Sequence, residues 1–380
     1  MCFCKPKIIL TFFSLLFLFL NLSSCATVSY LIDQGIGQWH IQRTGRDNKD
    51  ILNDPNVSVE IKKKIHEIQK AKRFFSEYFE KDLGGIYSKT TFLDEKAVTW
   101  LLIASSPFKV EAHEFNFPFM GSFPYIGFFK KEKAVERAIQ LEREKQLVTW
   151  IRPVLAYSTL GYFEDRILSS FFEFDEFELV ELVFHELFHV LFFSEDSVEL
   201  NENLAQFVSE RLMYDYFVNR RAELDVYLKS LMLDKKFTQS VIRKIPLLER
   251  ELALCKPPQF QASDKELSKK CTRQKMSSFF KQELISLVDG SCKEVVSGPE
   301  KCPNLETDWN QARLAALKTY EEQQDFLTQI YEQNANKDLK LFVKMIQAWE
   351  KEWKIAQRKK TDLTFEAYLK NLEIMRVLYL

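Results

Sequence analysis

Apolar and polar positions change their spacing several times along the chain, and each change marks an element. Ile8 to Leu20 is an apolar run too short to span a bilayer. From Asn56 to Glu80 the apolar residues Ile61, Ile65, Ile68, Phe75 and Phe79 fall near one face, which predicts an amphipathic helix. Between 83 and 129 the pattern breaks into short β-favouring runs separated by Gly and Pro: Val98–Ala104, Lys109–Phe115 and Tyr125–Phe129. A charged helix over Lys131–Lys145 and a strand over Leu147–Arg152 follow. From Asp175 onward the periodicity is helical almost without interruption. It predicts one helix through the apolar run after Glu176 and a turn at Ser194–Ser197. A second helix runs from Val198 past Tyr216 and on through 207–234, with further helices over 238–289 around Pro246 and the Pro257-Pro258 break. A loop covers 290–306, a helix Trp309–Tyr331, and the last helices about Asp338–Leu380. The predicted fold class is α+β, predominantly helical: a small mixed sheet (about 83–165) beside a helix pair (about 175–234), and a helical C-terminal part (about 238–380).

The helix pair carries the chemistry. His185, Glu186 and His189 form HExxH, and residues four apart on a helix lie one turn above each other. Two imidazoles so placed can share one metal ion, with Glu186 beside the position of a water. A hydrolytic zinc site needs three protein ligands and one open position. Glu202 is the favoured third ligand, because small residues Ala205 and Ser209 share its face and would let the second helix approach the first. Glu195, Asp196 and Glu199 are competitors that spacing does not exclude. The metzincin pattern fails, since Phe192 and Glu195 stand where its glycine and third histidine belong. A core helix with two chance histidines is the alternative. Only five histidines occur in 380 residues, and unpartnered polar groups in so apolar a helix would be costly.

Lys5 and Lys7 precede the apolar run, and Leu22-Ser23-Ser24-Cys25 follows it. This looks like a lipoprotein signal over residues 1–24, with Cys25 becoming the lipidated N-terminus, residues 25–50 the anchor and lead-in, and 51–380 the folded domain; a plain secretory signal is the runner-up and an uncleaved anchor the third reading. The expected location is a bacterial cell envelope, tethered to a membrane and facing the periplasm or exterior. In such an oxidising compartment Cys255, Cys271, Cys292 and Cys302 suggest two disulfides with three possible pairings. The net charge of −1 and the lack of a basic block exclude an electrostatic case for nucleic-acid binding.

Two further candidates precede the helix pair. His113 lies in a strand-like run beside Glu111 and Glu114, where a structural histidine is commoner than a ligand. Tyr157, in the hydroxyl-rich stretch 156–163, is a candidate donor to a developing oxyanion. No GxSxG elbow supports a serine nucleophile.

These motifs, in this order, resemble a family of bacterial lipoproteins known as predicted aminopeptidases, a gluzincin-like group of HExxH zinc metallopeptidases. The resemblance covers most of the chain after Cys25 and rests on 157–163 (YSTLGYF), 185–189 (HELFH), 201–205 (NENLA), and 310–315 (NQARLA) with Thr319 and Tyr320. It implies a zincin-like fold, one zinc ion on His185, His189 and Glu202, and Glu186 as general base. It also draws attention to Asn310 and Arg313 as substrate-binding residues and to Tyr320 as a catalytic one; their intervals of three and seven suit one helix face. The sequence departs from the family at Asn116 and Ser122, where cysteines are expected, and at Ile126, where an arginine is. The implied activity is a membrane-tethered zinc peptidase acting on peptides, an aminopeptidase by the family label. The rival functions are an endopeptidase or other amide hydrolase, and a non-catalytic envelope lipoprotein with a structural or vestigial zinc site.

Overall fold

The computed structural model describes residues 25–117, 121–156, 159, 164–195, 197–257, 264–285, 287, 309–318, 324–357 and 363–378. The chain divides into two units, one ending at Gly45 and the other running from Arg46 to Leu380. The first unit contains helix α1 (Cys25–Thr44). Among the described residues no helix is long and apolar enough to cross a membrane.

The second unit begins with β1 (Arg46–Asp47), α2 (Asn48–Asn53) and α3 (Val59–Phe79). Ser58 starts α3 by accepting a hydrogen bond from the Ile61 amide at 3.3 Å, and Glu80 ends it in the left-handed conformation (φ 52°). The predicted apolar face is the buried one: Ile65, Ile68, Ala71 and Phe75 are inaccessible to solvent. Strands β2 (Lys89–Thr91), β3 (Thr99–Ser105), β4 (Phe115–Phe117), β5 (Gly121–Phe123) and β6 (Ile126–Phe128) follow, then α4 (Lys131–Glu144), β7 (Val148–Val154) and β8 (Ile167–Leu168).

In place of the one mixed sheet expected, the strands form three small ones. The order β1-β2-β8 is mixed, β6-β3-β7 is antiparallel, and β4-β5 is a hairpin. In the hairpin Asn116 and Ser122 are direct partners, so the two positions at which cysteines were expected face each other. The central pair, β3 with β7, is in register from Thr99↔Val154 to Ser105↔Val148. The strand expected over Lys109–Phe115 is only its last residue. Before it, the Ser105 hydroxyl donates to the Lys109 and Glu111 carbonyls at 2.9 and 2.8 Å and folds the Pro107 segment into a turn.

Past a 3-10 turn at Ser169–Glu173 comes α5 (Glu176–Leu191), the HExxH helix, then α6 (Val198–Tyr216) and α7 (Arg221–Ala253). The expectation that α6 continues to 234 is corrected. It ends at Tyr216, because the chain reverses to pack Phe217 on Phe177 (centroids 4.6 Å apart) and to bring Arg220 to Glu176 at 2.7 Å. α7 then runs unbroken across 235–237, where the expected helices divided, and through Pro246. Burial of Val241, Ile245, Leu248 and Leu252 along one face holds the helix across the missing amide.

α8 (Asp264–Phe279) is joined to the end of α7 by the Cys255–Cys271 disulfide. Cys292 and Cys302, and most of the loop expected around them, lie outside the described residues. The helix expected over Trp309–Tyr331 is described as α9 (Gln311–Lys318) and α10 (Gln324–Gln333), with 319–323 between them outside the described residues. The chain closes with α11 (Leu339–Gln357) and α12 (Phe365–Leu378). α9 is wedged between layers: Ala312 and Ala316 pack on Ile103 of β3, while Leu314 and Ala315 join the α7–α8 core. The HExxH helix packs chiefly against α3 and α6. Phe74 and Phe75 of α3 meet Phe184 at centroid distances of 6.0 and 6.1 Å, which buries the back of the helix in aromatic rings.

Candidate metal centre

α5 starts with a reciprocal cap. Asp175 accepts from the Glu178 amide and Glu178 accepts from the Asp175 amide, both at 3.0 Å. Its last turn places His189 near the negative end of the helix. The reversal into α6 is fixed by Asn201, almost wholly buried. Its Oδ1 accepts from the Ser194 amide at 2.9 Å and its Nδ2 donates to the Ser194 carbonyl at 2.7 Å. The next residue is Glu202. Ala205 and Ser209, fully buried, allow the close approach the spacing predicted.

The result is a cluster of three side chains. His185 Nε2 and His189 Nε2 are 3.2 Å apart, and the Glu202 carboxylate lies 3.3 Å from the first and 3.6 Å from the second. One ligand atom from each falls within 4.8 Å of the others. Glu195 and Glu199 are not in the cluster, and Asp196 lies outside the described residues. Two imidazole nitrogens cannot face each other at that distance with both lone pairs inward; a proton or a cation must lie between them. A His, His, Glu donor set with nitrogens and a carboxylate oxygen convergent on one point fits zinc. The remote His189 nitrogen, Nδ1, is buried and has no hydrogen-bond partner among the described residues.

Electrostatics separate the four groups. Burial drives the His189 imidazole down to about 4, aided by the charge of His185 and opposed by Glu202. Burial also disfavours the charged form of His185, yet the carboxylates of Glu202, Glu186 and Glu181 outweigh it and hold that imidazole above its ordinary value. For Glu202, burial acts upward, but the hydrogen bond to His185 and the charges of His189, His185 and Arg152 keep it ionised below the usual range. Glu186, buried and outside that pairing, is pushed up to about 7 by burial, with Glu202 and Asp165 adding to the shift and His185 opposing it.

The remaining expected residues separate. Tyr157 and Tyr320 lie outside the described residues. Asn310 caps α9, its Oδ1 accepting from the Arg313 amide and its Nδ2 donating to the Thr149 carbonyl of β7, both at 3.0 Å. The Arg313 guanidinium rests 4.1 Å from the Trp309 ring and 5.5 Å from that of Trp150. Both residues therefore tie α9 to the β3–β7 sheet. His113 is away from the metal cluster: its amide donates to the Ala104 carbonyl at 2.8 Å and its ring lies 3.3 Å from Lys145 Nζ. Cys25 opens α1, and its side chain lies outside the described residues.

Other neighbours of the site were not singled out by motif. Tyr87 is buried beside Glu186 and adopts φ 56°, an uncommon conformation for a bulky residue. It is held there by its amide, which donates to Asp165 O at 2.7 Å, and by its carbonyl, which accepts from Asn48 at 2.9 Å. Asp165 is itself buried and accepts from the Thr159 hydroxyl at 2.6 Å. One turn before His185, Glu181 accepts from Gln206 at 2.7 Å and from the Tyr227 hydroxyl, and Gln206 also donates to Glu210 at 2.6 Å. Spacing offers a signal for this last group alone: Glu181 precedes His185 by four residues and Gln206 follows Glu202 by four.

A family model described as "Putative aminopeptidase" matches residues 29–361 of this chain. No curated protein matches it, and neither does any solved structure.

Proposed function

Because this chain belongs to that family, we propose that it is a zinc-dependent aminopeptidase with a gluzincin-like site, its domain over 51–380 held to a membrane by lipid on Cys25. The observation that carries the reading is the convergence of His185, His189 and Glu202 within 4.8 Å, with Glu186 buried next in sequence to one of them. His185, His189 and Glu202 are the residues that would hold the ion. When bound in such a site, zinc supplies Lewis acidity toward a scissile carbonyl and toward water.

The rest of the chemistry belongs to the chain. Glu186 accepts the proton of the attacking water; as the carbon–nitrogen bond breaks, it returns that proton to the leaving amine. Its apolar burial and the nearby Asp165 favour the protonated state needed for that second transfer. Glu202 remains ionised and balances positive charge at the cluster. The apolar run, the small residues before Cys25 and the even set of later cysteines support placement in an oxidising envelope compartment.

The test is zinc content of the full chain against its Glu202→Gln variant, followed by turnover of peptides with free and with blocked amino termini. About one zinc per wild-type chain, sharply reduced in the variant, with free termini preferred, is the expected result. Equal zinc in both proteins would overturn Glu202 as ligand. Cleavage of blocked peptides at equal rate would replace the aminopeptidase with an endopeptidase, and no cleavage by a zinc-loaded protein would leave a binding lipoprotein.

A further inference from the structure

A cavity of about 1080 Å³ lies away from the metal cluster, between α6, α7, the end of α3 and the turn from α10 into α11. Three cations line it that have no carboxylate in ion-pair reach among the described residues: Arg211, Arg221 and Lys340. Each lies over an aromatic ring instead. The Arg211 guanidinium is 3.2 Å from the Phe207 centroid and 5.2 Å from that of Tyr331; Arg221 is 4.2 Å from Tyr214, and Lys340 Nζ is 4.8 Å from Tyr78. Ring faces orient cations without neutralising them.

Arg211 is the most deeply placed of the three. It donates to the Phe207 carbonyl at 3.2 Å and to Thr328 Oγ1 at 3.3 Å, which leaves most of its five N–H donors for a ligand. The acids of the cavity are otherwise engaged. Glu210 pairs with Lys235 and Glu332 with Lys337. Asp338 accepts from the Leu341 amide at 2.9 Å, and Asp215 accepts from the Tyr78 hydroxyl. Three unpaired cations against two hydrogen-bonded aspartates leave an excess of positive charge. Glu210 and Glu332 act on Arg211 only from beyond ion-pair distance and are shared with lysines, and a half-buried guanidinium so placed gains when an anion completes it.

We propose that this cavity is a second ligand site, which takes a small phosphate-bearing molecule with its phosphate forked onto Arg211 and its remaining charge met by Arg221 and Lys340. A phosphate matches the planar fork of arginine and carries the multiple charge that three separate cations can share. Arg211 lies nine residues beyond Glu202 on α6, ~13 Å along the helix axis, so the site is distinct from the metal cluster.

The test uses pyrophosphate as probe in calorimetric titrations of the full-length protein, with acetate for comparison. Saturable binding of one pyrophosphate is expected. Arg211→Lys should weaken it by about tenfold or more, and the exposed changes Arg221→Gln and Lys340→Gln by roughly threefold each. Binding should persist in Glu202→Gln. Absence of saturable binding, equal affinity in all three cation variants, or acetate bound as tightly as pyrophosphate would overturn the proposal. Loss of binding in Glu202→Gln would place the anion at the metal cluster and overturn it as well. None of these outcomes depends on peptidase activity.

Discussion

Replacing Glu181 with glutamine should change how stability depends on pH. Glu181 sits on α5 between the Tyr227 hydroxyl and the Gln206 amide, 7% exposed. Burial and the charge of Glu210 raise its carboxyl from 4.5 to about 7, against the two hydrogen-bond donors and Lys235. Below pH 4.5 the folded and unfolded chains both hold this proton. Between 4.5 and 7 only the folded chain does, so stability from this group is full at the acid end and falls as pH rises to about 7. The gap of about 2.5 in pKa corresponds to about 3 kcal/mol. Glutamine keeps an acceptor for Gln206 and never ionises, so Glu181→Gln should not show that loss. Urea unfolding of both proteins at equal metal loading, from pH 4.5 to 8.5, measures it. The stability difference, variant minus wild type, should lie near zero at the acid end and climb by about 3 kcal/mol by pH 8. Titration of Glu186 and His189 is common to both proteins and cancels in the difference, and that of His185 nearly so, since Glu181 is the smallest of the carboxylate influences on it. A difference that stays flat across this range would refute the account of Glu181 as a carboxyl kept protonated by its surroundings.

Glu186→Gln should retain bound zinc and lower kcat by about 10²- to 10⁴-fold, as removal of a general base does; metal analysis beside steady-state kinetics checks both halves. Asn201→Ala removes both hydrogen bonds to Ser194 that set the start of α6. Its zinc affinity should fall by about tenfold or more, read by competition with a chelator, because Glu202 is the next residue. Loss of the Cys255–Cys271 disulfide, which spans a separation of 16 residues, should cost about 3 kcal/mol of unfolding free energy, measured for the paired serine variant against the oxidised protein.

The parts of the fold that could be read ahead are those whose periodicity is decided locally. α3, α4, α5 and the start of α6 fall within a few residues of the expected limits, each with a buried stripe at helical spacing. The misplaced boundaries depend on contacts remote in sequence. Nothing near Tyr216 announces that α6 must stop, since the reason is Phe177 and Glu176 some forty residues earlier. Pro246 carries a local signal that α7 overrides by burying residues on both sides of it. The serine hydroxyl that turns Lys109–Glu111 out of the sheet is equally silent in a pattern of apolar and polar letters.

The meeting of His185, His189 and Glu202 was legible for a related reason: HExxH and NENLA are each local, and only their meeting requires the fold. What went unread is that the two motifs are one end of a longer polar seam. Glu181, His185 and His189 repeat every four residues on α5, as Glu202, Gln206 and Glu210 do on α6. Their contacts run in opposite order along the two helices, Glu202 to both histidines and then Gln206 to Glu181, so the helices pack antiparallel along this seam. A polar seam between helices whose neighbouring Leu204, Val208 and Phe184 are fully buried costs desolvation, and the contacts of Glu181, Gln206, Glu202 and the histidines offset it. The seam also sets register. A slide by one helical turn would bring Glu202 to Glu181 and away from the histidines, so the pairing that orders Glu181 is the one that delivers Glu202 to His185 and His189.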